Sequence, residues 1–132
     1  AELGGTALRT ATWWAAPRIA STTGSEDLGC WDDRLGRPGA VQIATGGQWD
    51  GTRFSLRGGP GADDNHAKIG VSIAAGAADY VIFGDLNQQG ALSGRCGSSQ
   101  NGRGGLFFVV RNATLAGGVR VLIGGATAPH IR

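Results

Sequence analysis

The chain has 132 residues, enough for one domain and too few for two independent hydrophobic cores. Apolar residues make up 41% and charged residues 17%, so the composition allows a buried core and argues against disorder. The net charge of +2 would help a phosphate-rich partner to approach without identifying one, and no apolar run reaches the roughly 18 residues that cross a bilayer. These properties predict a single domain that does not span a membrane.

The first half of the chain contains short predicted elements separated by turns, in keeping with its many glycines. Residues 6–16 favour a helix that a proline then interrupts, whereas residues 24–39, with scattered Gly, Asp and Pro, are typical of a loop. Short strands are predicted over residues 40–44 and 52–56. The sequence RGGPGADD at residues 57–64 indicates a turn or loop.

A strictly alternating pattern begins at His66 and continues to Ile73. A period of two is typical of a half-buried strand, because successive side chains point to opposite faces. One face is apolar and consists of Ala67, Ile69, Val71 and Ile73. The polar face carries His66 and Lys68 side by side, so the pattern predicts that both side chains lie on the same side of the strand.

The remainder of the chain is predicted to contain further strands and one long loop. Residues 79–87 (DYVIFGDLN) form a second strand on which Asp85 and Asn87 share a face. Residues 90–105 form a polar, glycine-rich loop. Two apolar strands follow, over residues 106–110 and 119–123, with a turn at Gly117-Gly118.

The two cysteines, Cys30 and Cys96, are widely spaced and do not form the closely spaced pairs of a zinc site. A structural disulfide between them is the simplest interpretation, with two buried thiols as the alternative. Closing a loop of this length would stabilise the fold by about 4 kcal/mol. A disulfide indicates an oxidising compartment and therefore a secreted protein. The absence of Met and the scarcity of Lys are typical of GC-rich coding and indicate a bacterial origin.

Lys68 is the only lysine among twelve cationic residues. Because the chain does not use lysine as general surface charge, an ammonium two residues from one of only two histidines indicates a specific role. An imidazole can act as nucleophile or proton carrier, and a neighbouring ammonium can neutralise phosphoryl oxygens. For an isolated H-x-K triplet, a surface histidine beside a surface lysine is the favoured interpretation.

Two further motifs follow, GDLN at residues 84–87 and QNGRGG at residues 100–105. The order DNHAK, VIFGDLN, QNGRGG resembles the carboxyl-terminal catalytic segment of the deoxyribonuclease II family, which belongs to the phospholipase D-like phosphodiesterases. The resemblance covers residues 64–105 and extends more loosely upstream. It implies an α+β, β-rich fold, a single phospholipase D-like half-domain with a central mixed sheet and little helix.

The resemblance also implies roles for individual residues near the scissile phosphate. His66 would be the catalytic histidine, able to form a phosphohistidine or to protonate the leaving oxygen. Lys68 and Asn87 would hold and polarise the phosphate. Enzymes of this family work without metal, so the resemblance implies no cofactor.

Four other residues would complete the substrate pocket by the same resemblance. Arg103 and the backbone amides of Gly104 and Gly105 would shape the pocket near the phosphate. Asp85 would support the turn after its strand or orient a neighbouring side chain.

The family usually carries two H-x-K motifs whose histidines share the chemical roles, whereas this chain has one. The other histidine, His130, is followed two positions later by Arg132 rather than by lysine. A twofold homodimer would bring two copies of His66 and Lys68 face to face. The predicted function is therefore a secreted, metal-independent endonuclease or phosphodiesterase that cleaves DNA through a histidine nucleophile, with a site shared across a homodimer.

Two other functions remain open from the sequence. The missing second H-x-K favours a non-catalytic half-domain that binds nucleic acid or has a structural role. The G-D-x-N motif also resembles one in the magnesium-dependent DNase I-like phosphodiesterases, although this chain lacks the late Ser-Asp-His of those enzymes.

Overall fold

The computed structural model describes residues 4–13, 20–26, 33–58, 61–73, 79–84 and 106–130. Its elements in chain order are β1 (Leu8–Ala11), a 3-10 helix (Asp33–Leu35), β2 (Val41–Ile43), β3 (Gly46–Trp49), β4 (Thr52–Ser55), β5 (Ile69–Ser72), β6 (Tyr80–Phe83), β7 (Phe108–Arg111) and α1 (Ala113–Leu122). This content confirms the predicted α+β, β-rich fold with little helix. In the described part of the chain, no helix is long and apolar enough to span a membrane.

Five strands form the main sheet in the order β2-β1-β5-β6-β7. Strands β1 and β2 are parallel, and the other neighbours are antiparallel, so the sheet is mixed as the sequence predicts. Strands β3 and β4 form a separate hairpin. Its turn is Asp50-Gly51, where both residues have positive φ (45° and 76°), the conformation of a type I′ turn.

The hydrophobic core lies between one face of the main sheet and helix α1. Val71 of β5 and Val81 of β6 are fully buried in it, as is Ala116 of the helix. The remaining buried members of the core are Ala11, Ala44, Leu56, Val119 and Ile123. Fully burying side chains of this size contributes about 1.5–3 kcal/mol each, so this layer is the main source of stability for the sheet that carries the motif residues.

Arg9 joins the end of helix α1 to the middle of the sheet. Its Nε donates to the carbonyl oxygen of Ile123, and its Nη2 donates to those of Gly125 at 2.7 Å and Ala126 at 3.0 Å. Its Nη1 donates to Oγ1 of Thr127 at 2.6 Å. These bonds satisfy carbonyl groups at and beyond the helix end that have no partner within the helix.

Two predicted elements are wrong, one predicted as a helix and the other predicted as a strand. Residues 6–16 do not begin a helix, because the chain at Leu8–Ala11 is strand β1, inserted between β2 and β5. The predicted strand over residues 119–123 belongs to helix α1, whose apolar residues pack on the sheet. The proposed turn at Gly117-Gly118 lies within that helix.

The other predicted strands are confirmed with shifted ends. Residues 40–44 and 52–56 correspond to β2 and β4, and residues 106–110 correspond to β7. Residues 66–73 and 79–87 correspond to β5 and β6, which are shorter than predicted. Strand β3 was missed, although the Asp-Gly pair between β3 and β4 is a strong hairpin signal.

Candidate functional site

The sequence motifs adjoin their strands at the same end of the main sheet. Ala11 at the end of β1 pairs with Ile69 at the start of β5, and Ile69 pairs with Phe83 at the end of β6. Phe83 in turn pairs with Phe108 at the start of β7. We call this row the His66 end of the sheet, because His66 lies just before Ile69. The chain leaves β6 and enters β7 at this same end.

His66 and Lys68 lie in the segment that leads into β5. The His66 side chain is exposed and that of Lys68 is partly buried. Lys68 Nζ donates to the backbone carbonyl oxygen of His66 at 3.2 Å. The predicted strand therefore starts three residues later than its pattern indicated, and the two residues of the H-x-K motif precede it.

Lys68 is also joined to the GDLN motif through the backbone. The N–H of Gly84 donates to the carbonyl oxygen of Lys68 at 3.2 Å, which extends the β5–β6 ladder by one pair. A Cβ atom at Gly84 would overlap the ring of Phe107, so any other residue here would require that ring to move. The first glycine of the GDLN motif thus has a packing role beside Lys68.

An indole ring stacks on the imidazole of the motif. The ring centroids of Trp13 and His66 are 5.9 Å apart and their planes differ by 21°, an offset-stacked arrangement. Trp13 follows strand β1, so the contact joins residues from two neighbouring strands. This contact between Trp13 and His66 was not predicted from the sequence.

Asn65 fixes the backbone beside His66, a role that was not predicted from the sequence. Its Nδ2 donates to the carbonyl oxygen of Thr12 at 3.3 Å, and its N–H donates to that of Arg57 at 2.9 Å. Its Oδ1 accepts from the N–H of Ala67 at 3.0 Å, the two-residue reach of an Asx turn. The asparagine directly before the histidine was the available signal, since Asn in a turn commonly bonds the backbone two residues on.

The face that His66 and Lys68 were predicted to share is not open to solvent along the whole strand. Ser72, on the same face by alternation, is fully buried. Its Oγ accepts from the N–H of Tyr80 and from Nη2 of Arg120, both at 3.1 Å. Arg120 in turn pairs with Asp79 at 2.6 Å. This polar cluster provides hydrogen-bond partners for the buried hydroxyl of Ser72. The exposed part of the polar face of β5 therefore lies at the His66 end.

Several predicted site residues lie outside the described residues. They are Asp85, Asn87, Arg103, Gly104 and Gly105, together with the two predicted disulfide partners Cys30 and Cys96. All of these residues except Cys30 belong to residues 85–105. The described residues next to that segment are Gly84, which follows β6, and Leu106, which precedes β7, both at the His66 end.

The second histidine does not join this group. His130 forms a parallel bridge with Ser21, which bonds the outer side of β2. Strands β2 and β1 separate Ser21 from β5, a lateral distance of about 14 Å at normal strand spacing. Among the described residues, no group of three or more His, Cys, Asp or Glu could hold a metal ion.

Comparison with protein-family models, with curated proteins and with solved structures finds no match to this chain.

Proposed function

We propose that the chain is a metal-independent phosphodiesterase that cleaves DNA at the His66 end of the sheet. One observation carries the proposal: His66 and Lys68 lie at the end of the sheet where β6 ends and β7 begins. The GDLN and QNGRGG motifs adjoin those two strands in the sequence, so three motifs separated by many residues connect to one region. This arrangement supports the proposed site, whose chemistry is the one that the resemblance to the deoxyribonuclease II family implies.

His66 is the proposed nucleophile. Its imidazole nitrogen would attack phosphorus in line with the leaving oxygen, forming an N–P bond as the P–O bond of the DNA backbone breaks. The leaving oxygen takes up a proton, and water then cleaves the N–P bond to release the phosphate and restore the imidazole. The exposure of His66 fits a polymeric substrate, because a nucleophile must reach a phosphate in a long chain.

Lys68 and Trp13 have supporting roles in this proposal. The ammonium of Lys68, held beside the backbone of His66, would neutralise charge that develops on the phosphoryl oxygens. Stacking on Trp13 would restrict the orientation of the imidazole, which favours a productive attack. Asn87 and Arg103 with Gly104 and Gly105 would bind the phosphate, and Asp85 would orient its neighbours, as the family resemblance implies.

The proton for the leaving oxygen requires a second acid. Because His130 bridges Ser21 beyond β2, we assign this proton to His66 of a second copy in a site shared across a homodimer. The proposal includes secretion with a Cys30–Cys96 disulfide, on the sequence argument alone.

A second candidate function is nucleic-acid binding without cleavage. The observation that favours it is that one histidine, stacked on an indole, lies at the His66 end among the residues the structure describes. An exposed imidazole stacked on a partly buried indole, beside a lysine, could contact bases and phosphates without breaking a bond.

The test is cleavage of supercoiled plasmid DNA in excess EDTA from about pH 4 to pH 8, the range over which histidine changes charge. The native chain is compared with His66→Ala, Lys68→Ala and the control His130→Ala. Cleavage that survives EDTA, is lost in the first two variants and persists in the third supports the proposal. Cleavage that requires Mg²⁺ or persists in His66→Ala would overturn it. DNA binding without cleavage would establish the second candidate instead.

A further inference from the structure

Strand β7 presents a continuous apolar stretch at one edge of the main sheet. Residues 106–110 (LFFVV) are all apolar, and their side chains are 37% to 67% exposed. In the described part of the chain, β7 pairs with β6 on one side and with no strand on the other. Such edges are usually protected by lysine, proline or a bulge, and β7 has none of these. Exposed apolar patches of a few hundred Å² commonly mark interaction sites.

The β6–β7 register determines which backbone groups face outward. The N–H of Asn112 donates to the carbonyl oxygen of Asp79 at 2.9 Å, so Asn112 and every second residue before it face β6. Val109 and Arg111 alternate with these residues, so their N–H and C=O groups point away from β6. Phe107, the residue directly before β7, is on the outward side by the same alternation.

We propose that β7 pairs with β7 of a second copy of this chain, antiparallel and about a twofold axis at Val109. In this register Val109 faces Val109 of the second copy, and Arg111 faces Phe107 of the second copy. Each of these facing pairs can exchange two backbone hydrogen bonds, because all of the groups involved point outward. No other antiparallel register about a twofold axis uses the outward groups of all three residues.

The charges along β7 also favour a second copy. Arg111 is the only charged residue of the strand, and the proposed register places it beside an aromatic ring, where a guanidinium binds favourably. The two Arg111 residues would lie about 14 Å apart, since four residues of strand and one strand spacing separate them. That distance exceeds the Debye length of about 8 Å at physiological ionic strength, so their repulsion is largely screened.

In the described part of the chain, the opposite edge of the sheet is already occupied, so the sheet cannot extend through a second edge. Val41 of β2 exchanges two backbone hydrogen bonds with Thr22, at 2.8 and 3.0 Å. The N–H of Ile43 donates to Oγ of Ser21 at 3.0 Å, and its carbonyl oxygen accepts from Ala128 at 2.8 Å. Among the described strands of the main sheet only β7 has an unpaired edge, so pairing through it joins two copies and does not propagate as a filament.

This dimer goes beyond the proposed function and differs from the shared-site arrangement. Pairing through β7 would place the two β5 strands five strand spacings apart, about 24 Å. The two copies of β7 would run in opposite directions, so the two His66 ends would lie at opposite ends of the continuous sheet. The β7 contact therefore does not bring two His66 residues together, and the shared site of the proposed function would need a separate contact at the His66 end.

The test is the molar mass of the full chain in solution, by light scattering over a range of protein concentrations. The native chain is expected to have the mass of a dimer. Val109→Lys is expected to have the mass of a monomer, because it places two ammonium groups at the twofold axis. Val109→Pro is expected to do the same, since it removes an outward N–H without removing a bond to β6. The matched control Val121→Lys, at an exposed apolar position of α1, is expected to remain a dimer.

Hydrogen exchange of the native chain tests the register. The amides of Val109 and Arg111 are expected to become protected as concentration rises, whereas those of Phe108 and Val110 are protected at all concentrations. A monomeric native chain, or a Val109→Lys chain that is folded and still dimeric, would overturn the proposal. Dissociation by His66→Ala rather than by Val109→Lys would also overturn it and would locate the dimer contact at the His66 end. Nuclease activity is measured on the same samples, so failure of the dimer and failure of the proposed chemistry are distinguishable.

Discussion

Trp13 and His66 stack across the ends of neighbouring strands, with ring centroids 5.9 Å apart. Trp13 follows β1, and His66 precedes β5, which pairs with β1. The stack therefore depends on correct pairing of two strands that are far apart in the sequence. It makes the orientation of the candidate nucleophile a consequence of the fold.

Replacing Trp13 by alanine is expected to slow DNA cleavage by about 2- to 10-fold, because an aromatic pair contributes about 0.5–1.5 kcal/mol. Trp13→Phe is expected to retain most of the rate, since a smaller ring can still stack. Nuclear magnetic resonance provides an independent measurement, because the ring current of the indole shifts the His66 ring protons. If Trp13→Ala leaves those proton shifts unchanged, the stack does not persist in solution.

Replacing Asn65 by alanine removes both side-chain bonds that hold the segment before His66. We expect a loss of about 1–3 kcal/mol in the free energy of unfolding, since each such bond contributes about 0.5–1.5 kcal/mol. Asn65→Asp keeps the acceptor for Ala67 and loses the donor to Thr12, so its free energy of unfolding should lie between those of Asn65→Ala and the native chain. Urea unfolding measures all three chains. Equal stability of Asn65→Ala and the native chain would show that these bonds do not hold the segment.

The Gly84→Ala substitution is expected to destabilise the fold by about 1–3 kcal/mol, because the added methyl group overlaps the ring of Phe107. Adding Phe107→Ala should restore part of that stability, since it removes the obstructing ring. The double-mutant cycle in urea unfolding separates this overlap from any general effect of replacing glycine. Additive effects of the two substitutions would argue against the contact.

Arg9→Lys is expected to lower the free energy of unfolding by about 2–4 kcal/mol, because an ammonium cannot reach the several acceptors that the guanidinium bonds at the end of α1. Burial lowers the pKa of Arg9, consistent with a site that is structural rather than solvated. The matched control is Arg53→Lys on the exposed strand β4, which should change stability little. A similar loss of free energy of unfolding in both variants would indicate a general effect of replacing arginine by lysine.

The sequence predicted the middle of the sheet well because alternation is a local signal. Strand β5 and the position of Lys68 beside it followed from the pattern that starts at His66. The ends of the strands did not, because they depend on partners: β5 begins at Ile69, where pairing with Ala11 begins. Strand β1 itself was missed because its assignment depends on long-range pairing that no local pattern reveals.

For helix α1 the prediction was wrong in the opposite sense, because a strand was predicted over residues 119–123, which belong to the helix or its end. A short apolar run is compatible with either a buried strand or a buried helix, and length and flanking residues must decide between them. The deciding signal was Asn112, whose Oδ1 accepts from the N–H of Leu115 at 2.9 Å and caps the helix. At the candidate site, His66 and Lys68 were predicted, whereas Trp13 and Asn65 were not, because their contacts arise only when β1 and β5 pair.

The carboxylate of Glu26 gives a pH-dependent prediction that is independent of the proposed chemistry. Its oxygens accept from the N–H groups of Thr23, Gly24 and Ser25 at 2.7 to 3.1 Å. The bond from the N–H of Thr23 is the main cause that lowers the pKa of Glu26 to about 2, and bonds from the N–H groups of Glu26 and Gly24 and the hydroxyl of Thr23 add to it. Because the pKa in the folded chain lies below that in the unfolded chain, the contribution of Glu26 to stability is present above about pH 4.5 and is lost as the pH falls towards about 2.

Glu26→Gln removes the charge and should therefore be less stable than the native chain at neutral pH. The difference is expected to shrink as the pH falls below about 4.5 and to become small near pH 2, because a protonated carboxyl group is as uncharged as the amide that replaces it. Urea unfolding at a series of pH values measures the difference, and the carboxyl carbon shift of Glu26 reports its titration directly. Asp50→Asn, on the exposed β3–β4 turn, is the control. A stability difference that stays constant across this pH range would show that the carboxylate does not hold the turn through its charge.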